Sequence, residues 1–382
     1  MKVLFILTYY YPHWTGLTQY ARRLAEGLAQ KGHIVNVLTT KHEQFLSDEE
    51  VVNKVHIIRK PVLFRLSRSL VSLQFIFSFW KQIQSSDYII IYLPFAEVLI
   101  VAIIARMLNK RLYLVHNGDL MLPSGLVNRI LEKFYFFSTL QSIKLSRAVI
   151  IQTKDYAEHS ELLSKCKEKW QVILPLYESH NEDREKTKIL KKKLLPHKKY
   201  TVGLAGRFVE EKGFDILLKA IPKIVKQNPN IQFIFAGEVN ISYENFLMKN
   251  KYLLDQNKKH LVLLGKLNNS QMTSLYKLCD VFVISSRTDC FPSAEVEALL
   301  SGVPVVVTDI PGARWPVSQT KMGIIVASKD SKELADGILE VLKSRRKYIK
   351  NKYKAKQIFD YNKTLDIYDQ LLQKKNLDIH FP

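Results

Sequence analysis

The sequence predicts an α/β protein built from two doubly wound, Rossmann-like domains. Short runs rich in Val, Ile and Leu alternate with helical stretches along the chain, and the alternation is interrupted once, by a polar and highly charged stretch, before it restarts. A length of 382 residues with 47% hydrophobic content supplies cores for two domains of ordinary size. Strands that are apolar at nearly every position bury both faces, which is the pattern of a parallel sheet covered by helices on both sides.

In the first half, strands are expected at Val3 to Thr8, Ile34 to Leu38, Val55 to Ile58, Tyr88 to Tyr92, Leu112 to Val115, Ala148 to Gln152 and Gln171 to Leu174. Helices are expected to start near Leu17, Ala96, Gly125 and Lys154. The opening run Met1-Lys-Val-Leu-Phe-Ile-Leu-Thr-Tyr is short, leads into Pro12 and lacks a small-residue cleavage site, so it reads as a buried strand and not as a signal peptide. In the second half the strands are Thr201 to Ala205, Ile231 to Ala236, Leu261 to Leu264, Val281 to Ile284, Val303 to Val307 and Ile324 to Val326. The break at 179–199 is expected to be a linker with a solvated helix, which gives a first domain at 1–178 and a second at 200–356.

A net charge of +21 and a pI near 9.6 favour anionic partners. Nucleic acid is not among them, because no reading module and no basic sheet face interleaved with aromatics is present. Cys166, Cys279 and Cys290 have no CxxC or metal spacing and read as reduced thiols of a cytoplasmic protein.

Ligands of open parallel sheets bind at the carboxyl ends of strands, so the loops there are the candidate site. After Ala205 comes Gly206-Arg207-Phe-Val-Glu210-Glu211-Lys212-Gly213: Arg207 can hold phosphate oxygens in a fork and Lys212 adds a point charge. Further on, Asp289-Cys-Phe-Pro-Ser-Ala-Glu-Val-Glu297 places one carboxylate in a loop and a second inside a helix, with the start of that helix between them. The N–H groups of Ser293 and Ala294 suit a phosphate, and the carboxylates suit sugar hydroxyls. A phosphate flanked by two polyol binders describes a nucleotide sugar.

This arrangement resembles the signature of retaining glycosyltransferases of family 4, which have the GT-B fold: an acidic residue, seven intervening residues, Glu, then Ala and a Gly-x-Pro turn, here Asp289, Glu297 and Gly302-Val-Pro304. Three departures stand out: Asp289 replaces the usual Glu, Pro292 replaces a Gly and removes one N–H, and Thr15 occupies the first of two adjacent glycines, leaving Gly16. The resemblance implies that Arg207 and Lys212 hold the donor diphosphate and that the backbone at Gly16 approaches it. By the same resemblance, His116 of His116-Asn-Gly-Asp119 contacts the donor sugar, Asp119 lies toward the acceptor, and Glu238 and Lys266 lie near the nucleoside. The tail at 357–382 resembles the helix that crosses back to the first domain.

The resemblance runs from Tyr11 to beyond Lys356 and implies transfer of a hexose-type sugar from a GDP- or UDP-sugar with retention, by front-face attack, to a glycan acceptor. No cofactor is expected, and no metal either, since no Asp-x-Asp pair is present and Arg207, Lys212 and the helix start neutralise the diphosphate instead. Two other readings remain on the same fold: a non-catalytic subunit that scaffolds a partner enzyme, and a nucleotide-sugar epimerase. A dehydrogenase is disfavoured because no G-x-G-x-x-G follows the first strand.

Between Arg59 and Ser86 there is no acidic residue, and Arg59, Lys60, Arg65, Arg68 and Lys81 flank the apolar run Leu70 to Trp80. The run is too short to span a bilayer, which takes about 20 apolar residues. As a cationic, aromatic-rich helix it is expected to lie on an anionic membrane surface, in keeping with a lipid-linked acceptor and peripheral localisation on the inner face of the cytoplasmic membrane. Its competing role is an ordinary core helix, since Phe75, Phe79 and Ile83 recur at core spacing.

Overall fold

The computed structural model describes the chain except for residues 63, 67–68, 72, 123–124, 179–184, 186, 190–191, 193–199, 240, 242–243 and 374–382. Within the described residues it divides into two compact units, Met1–Leu176 together with the segment from Tyr361, and Tyr177–Asp360.

The first unit holds β1 (Lys2–Ile6), β2 (Ile34–Lys41), β3 (Glu49–Val52), β4 (Val55–Pro61), β5 (Phe64–Leu66), β6 (Ser69–Val71), β7 (Tyr88–Leu93), β8 (Arg111–His116), β9 (Ala148–Ile151) and β10 (Trp170–Val172). Eight of these form one sheet in the order β10-β9-β8-β7-β1-β2-β4-β3. Every pairing in it is parallel except β3 with β4. Side chains alternate between two cores, so Phe5 and Ile90 face one layer of helices while Leu4 and Ile91 face the other.

The second unit holds β11 (Tyr200–Ala205), β12 (Ile231–Ala236), β13 (Leu261–Leu263), β14 (Val281–Ile284), β15 (Val305–Thr308) and β16 (Gly323–Val326). Its sheet is wholly parallel, in the order β13-β12-β11-β14-β15-β16. The strand order reverses between β11 and β14, and in the first unit between β1 and β7. At such a reversal the helices leave to opposite sides and the strand ends open into a crevice.

All thirteen strands expected from the sequence are present, and the described residues hold three more that were not foreseen. β3 reads Glu-Glu-Val-Val and is a half-exposed antiparallel edge, so it lacks the continuous apolar signature of a buried strand. The β5–β6 hairpin takes the start of the apolar run, which was expected to be helical from Leu70; the helix begins at Leu73 and ends at Gln84. That helix turns Phe75, Phe79 and Ile83 into the core, as the competing core role required, and leaves Phe77 and Trp80 outside. Residue 68 and the side chain of Arg65, both part of the expected cationic face, lie outside the described residues, as does nearly all of the expected linker at 179–199.

Arg59 does not belong to a membrane-facing surface. Its side chain is buried, donating from Nη1 to the Ser47 carbonyl at 3.1 Å and from Nη2 to the Tyr11 carbonyl at 2.8 Å, with Glu50 as its ion-pair partner. It therefore ties the loop after β1 to β3 and β4.

The C-terminal helix Tyr361–Gln373 packs in the first unit, against the helix Gly16–Gln30. The Tyr361 hydroxyl donates to the Arg23 carbonyl at 3.2 Å, Lys31 pairs with Asp366 at 2.6 Å, and Leu365, Tyr368 and Leu372 enter the core. The changeover occurs at 360–361 and not at 357, because Phe359 is retained among Phe291 and Trp315 of the second unit, with ring centroids 6.4 Å from each.

Removing the buried Arg59 side chain takes away the donor shared by two carbonyls and a carboxylate and leaves its own space empty, so Arg59→Ala is expected to lower unfolding stability by about 3 kcal/mol. A shift of the urea midpoint measures this, and a shift under a few tenths of a kcal/mol would mean that water replaces the guanidinium there.

Candidate functional site

In the second unit, the loop after β11 and the loop after β14 are sewn together at the strand-order reversal. Gly213 is left-handed, with φ 62°, and a Cβ built on it would lie 2.0 Å from the Ser285 carbonyl oxygen, so only glycine lets the two loops approach this closely. The Ser285 hydroxyl donates to the Lys212 carbonyl at 3.1 Å, and the Arg287 amide donates to the Glu211 carbonyl at 2.7 Å. Arg287 grips Asp215 with both guanidinium nitrogens at 2.8 Å each. Burial disfavours the Asp215 carboxylate, but the Arg287 bonds outweigh it and hold its pKa below the ordinary value.

This framework brings Lys212 Nζ to 2.5 Å from Asp289 Oδ2. The two candidate groups thus come from different loops, 77 residues apart in sequence, and meet at the crevice. Arg207 lies on the same loop as Lys212, with Glu211 at 3.0 Å. The helix Ser293–Leu300 follows, and Pro292 before it offers no side-chain cap, which leaves the first-turn N–H groups of Ser293 and Ala294 uncapped by any side chain. Glu297 sits one turn in and accepts a hydrogen bond from the Tyr276 hydroxyl at 2.9 Å. Glu238 and Lys266, at the ends of β12 and β13, pair with each other at 3.1 Å, and the Glu238 carbonyl accepts from the Phe208 amide at 2.8 Å, which joins this corner to the Arg207 loop.

In the first unit, Thr15 takes up a structural task that the sequence did not reveal. It caps the helix Gly16–Gln30, its hydroxyl accepting from the Thr18 amide while the Thr18 hydroxyl accepts from the Thr15 amide at 2.9 Å. Gly16 is the first residue of that helix, at the carboxyl end of β1. His116 ends β8 and is 1% exposed. Its Nδ1 accepts from the Gly118 amide at 3.3 Å, so the proton resides on Nε2 and is donated to Asp119 Oδ1 at 3.2 Å. Burial works against the Asp119 carboxylate; hydrogen bonds from His116 and Ser160, with Tyr156 adjoining, prevail and hold its pKa below the usual range. His116 and Asp119 are thus one unit of structure.

Tyr276, Arg287 with Asp215, and Glu295 were missed. Tyr276 lies in a helix whose only sequence signal is a capping box, and nothing in it points to Glu297. Arg287-Thr-Asp289 did carry a signal, since it begins the acidic motif itself. An aromatic wall was also unforeseen: Tyr9 stacks on His13 at 4.5 Å, and His42, whose pKa burial lowers, meets both rings edge-on.

Glu295 is fully buried beneath the Asp289 loop, and among the described residues both its oxygens lack a hydrogen bond of good geometry. Burial and then the Asp289 charge push its pKa well above the ordinary glutamate value, and the Val317 amide offsets this only in part. The folded protein therefore keeps this proton to a higher pH than the unfolded chain does, and stability falls as pH rises from the ordinary glutamate value toward the raised one. Glu295→Gln is expected to melt at the same temperature as the parent near pH 4 and higher at pH 8, by roughly 2–4 °C for each kcal/mol regained. A variant that melts lower at pH 8 would show that Glu295 is ionised and paired in the fold.

Comparison with known proteins is consistent along the whole length. A family model described as Glycosyltransferase Family 4 matches residues 14–175, and one described as Glycosyl transferases group 1 matches 185–358. An uncharacterized glycosyltransferase of Methanocaldococcus jannaschii is 24% identical over 93% of this chain and 93% of its own. The capsular polysaccharide biosynthesis glycosyltransferase CapM of Staphylococcus aureus is 25% identical over 60% of this chain and 64% of its own. Among solved structures, the sucrose-phosphate synthase of Thermosynechococcus elongatus superposes with a TM-score of 0.79 at 16% identity, covering 97% of this chain and 98% of its own. HepE of Anabaena, in complex with UDP and glucose, superposes with a TM-score of 0.78 at 16% identity, covering 98% and 99%. These likenesses establish the GT-B fold.

Proposed function

Because the chain belongs to the group 1, family 4 type of glycosyltransferases, we propose that it moves a hexose-type sugar from a nucleotide diphosphate sugar to a glycan acceptor that is lipid-linked, with retention at the anomeric carbon. The observation that carries this is the 2.5 Å approach of Lys212 to Asp289 at the strand-order reversal of the second unit. A cation suited to phosphate and a carboxylate suited to hydroxyls stand side by side, and a sugar bonded directly to a diphosphate presents both chemistries at that spacing. HepE, which shares the fold, is described with UDP-glucose, and CapM with capsular polysaccharide, which supports a UDP-sugar and an envelope glycan.

In this reading Arg207 and Lys212 stabilise the charge that builds on the departing diphosphate, aided by the uncapped amides of Ser293 and Ala294. Asp289 orients the transferred sugar. Glu297 accepts from the ribose, its carboxylate aimed by Tyr276, and Glu238 and Lys266 border the nucleoside. With the leaving phosphate oxygen positioned on the attacked face, it accepts the acceptor's proton, and no enzyme nucleophile is needed. The cations and the helix start supply the charge that a metal would otherwise provide. His116 borders the transferred sugar, Asp119 serves the acceptor side, and the Tyr9–His13 wall offers flat faces on which a sugar ring can stack.

Lys212→Ala and Arg207→Ala are each expected to reduce kcat by about a hundredfold or more with Tm retained, because charge stabilisation of a leaving group is lost in the transition state. Normal turnover in both would remove this loop from the reaction, and absence of hydrolysis or transfer with every nucleotide sugar in the wild type would favour a non-catalytic subunit.

Glu297→Ala is expected to weaken UDP binding, and Tyr276→Phe to weaken it about fivefold, the worth of one hydrogen bond that aims a carboxylate. Calorimetry checks both, and a Tyr276→Phe variant that binds UDP as tightly as the parent would show that Glu297 needs no support.

A further inference from the structure

The first unit carries an apolar surface that the reaction does not use. In the helix Leu126–Leu145 the fully buried residues, Ser138, Thr139, Ser142 and Ile143, all lie in the C-terminal part, and Phe136 and Leu140 pack partly buried against the same core. The N-terminal part displays Leu126, Val127, Ile130, Phe134 and Phe137 at helical spacing, with Ile130 60%, Phe134 64% and Phe137 56% exposed. Side chains of this size, on one face and this open to water, mark a surface that seats on something.

The surface continues onto neighbouring helices. The helix Val98–Met107 packs between Leu126–Leu145 and Leu73–Gln84 and turns Ile103 and Met107 outward, while Leu73–Gln84 turns out Phe77 and Trp80. All three cover the same face of the sheet. Their charged residues are Lys81, Arg106, Arg129, Glu132, Lys133 and Lys144. Five of these six are cations, and the one acid, Glu132, already accepts the Leu122 amide at 2.6 Å. Among the described residues no helix is long and apolar enough to cross a membrane.

We propose that this three-helix face seats on an anionic phospholipid surface, with the start of Leu126–Leu145 immersed at the headgroup boundary. Aromatic and aliphatic side chains interleaved with cations fit a lipid interface. They fit a second copy of the chain poorly, because a two-fold contact would bring the same cations against each other. The helix begins a few residues after the His116–Asp119 loop, so an acceptor carried on a lipid would arrive beside that loop. The inference rests on the lipid-linked acceptor reading for its purpose, but not for its test.

Cosedimentation with phosphatidylcholine vesicles, with and without phosphatidylglycerol, tests it in the absence of any sugar nucleotide. The wild type is expected to partition onto the phosphatidylglycerol vesicles at low salt and to be released at high salt. Ile130→Asp with Phe134→Asp, and separately Arg129→Glu with Lys133→Glu, should each weaken partition about tenfold or more. Lys258→Glu with Lys259→Glu, the same charge change on exposed lysines of the second unit, should bind as the wild type does. UDP affinity and Tm should be unaltered in all three, since these residues are exposed and none is among the groups assigned to the nucleotide. Vesicle binding by the wild type that survives both helix variants would overturn the proposal, as would no binding at low salt. A dimer in sedimentation equilibrium that Ile130→Asp with Phe134→Asp dissolves, without vesicle binding, would assign the face to a second copy. Loss of transfer activity with vesicle binding intact would count against the proposed function alone.

Discussion

The close approach of two backbones at Gly213 and Ser285 is the constraint on which the arrangement of the second unit's candidate groups depends. A parallel sheet delivers its strand ends side by side at a fixed spacing, but it does not by itself bring the loops beyond them into contact. Here a left-handed glycine lets one loop settle on the other, and Arg287 locks the arrangement through Asp215 and the Glu211 carbonyl. Lys212 and Asp289 then meet as a consequence of the backbone, with little left to side-chain search. Preorganisation of this kind places charge where it is needed before a ligand arrives.

The same logic explains which parts of the molecule could be read in advance. Buried parallel strands declare themselves because both faces are apolar, so all of the central strands were legible, and so were the loops at their ends. β3 was not, because an edge strand with Glu49 and Glu50 carries no such signature. Arg59 was misassigned for a related reason: in the sequence it is one cation among several, and only the fold shows two carbonyls and a carboxylate converging on it. Tyr276 and Glu295 illustrate the limit of motif reading. Each is defined by what meets its side chain across elements that are distant in sequence: Glu297 for Tyr276, and for Glu295 a buried setting in which the Val317 amide compensates only in part.

The departures from the family pattern also become physical statements. Thr15 forms a reciprocal cap with Thr18, which exchanges backbone freedom at the turn before Gly16 for a fixed helix start. Pro292 stands at the N-cap of the helix Ser293–Leu300 and provides no side-chain cap, and its missing N–H immediately precedes the first-turn amides of Ser293 and Ala294. Asp289 is one methylene shorter than Glu, and Lys212 reaches it nonetheless, because the loops are drawn together at Gly213.

The placement of Tyr361–Gln373 makes the two units nested and not sequential: the second, Tyr177–Asp360, is one unbroken stretch, while the first is assembled from chain on both sides of it. On the ribosome, the second unit has all of its residues available before the first has received the helix that covers Tyr20, Leu24 and Leu28. The first unit, though begun earlier, waits with that face of its core open until the segment from Tyr361 has been made, and the order of completion runs opposite to the order in which the two units begin.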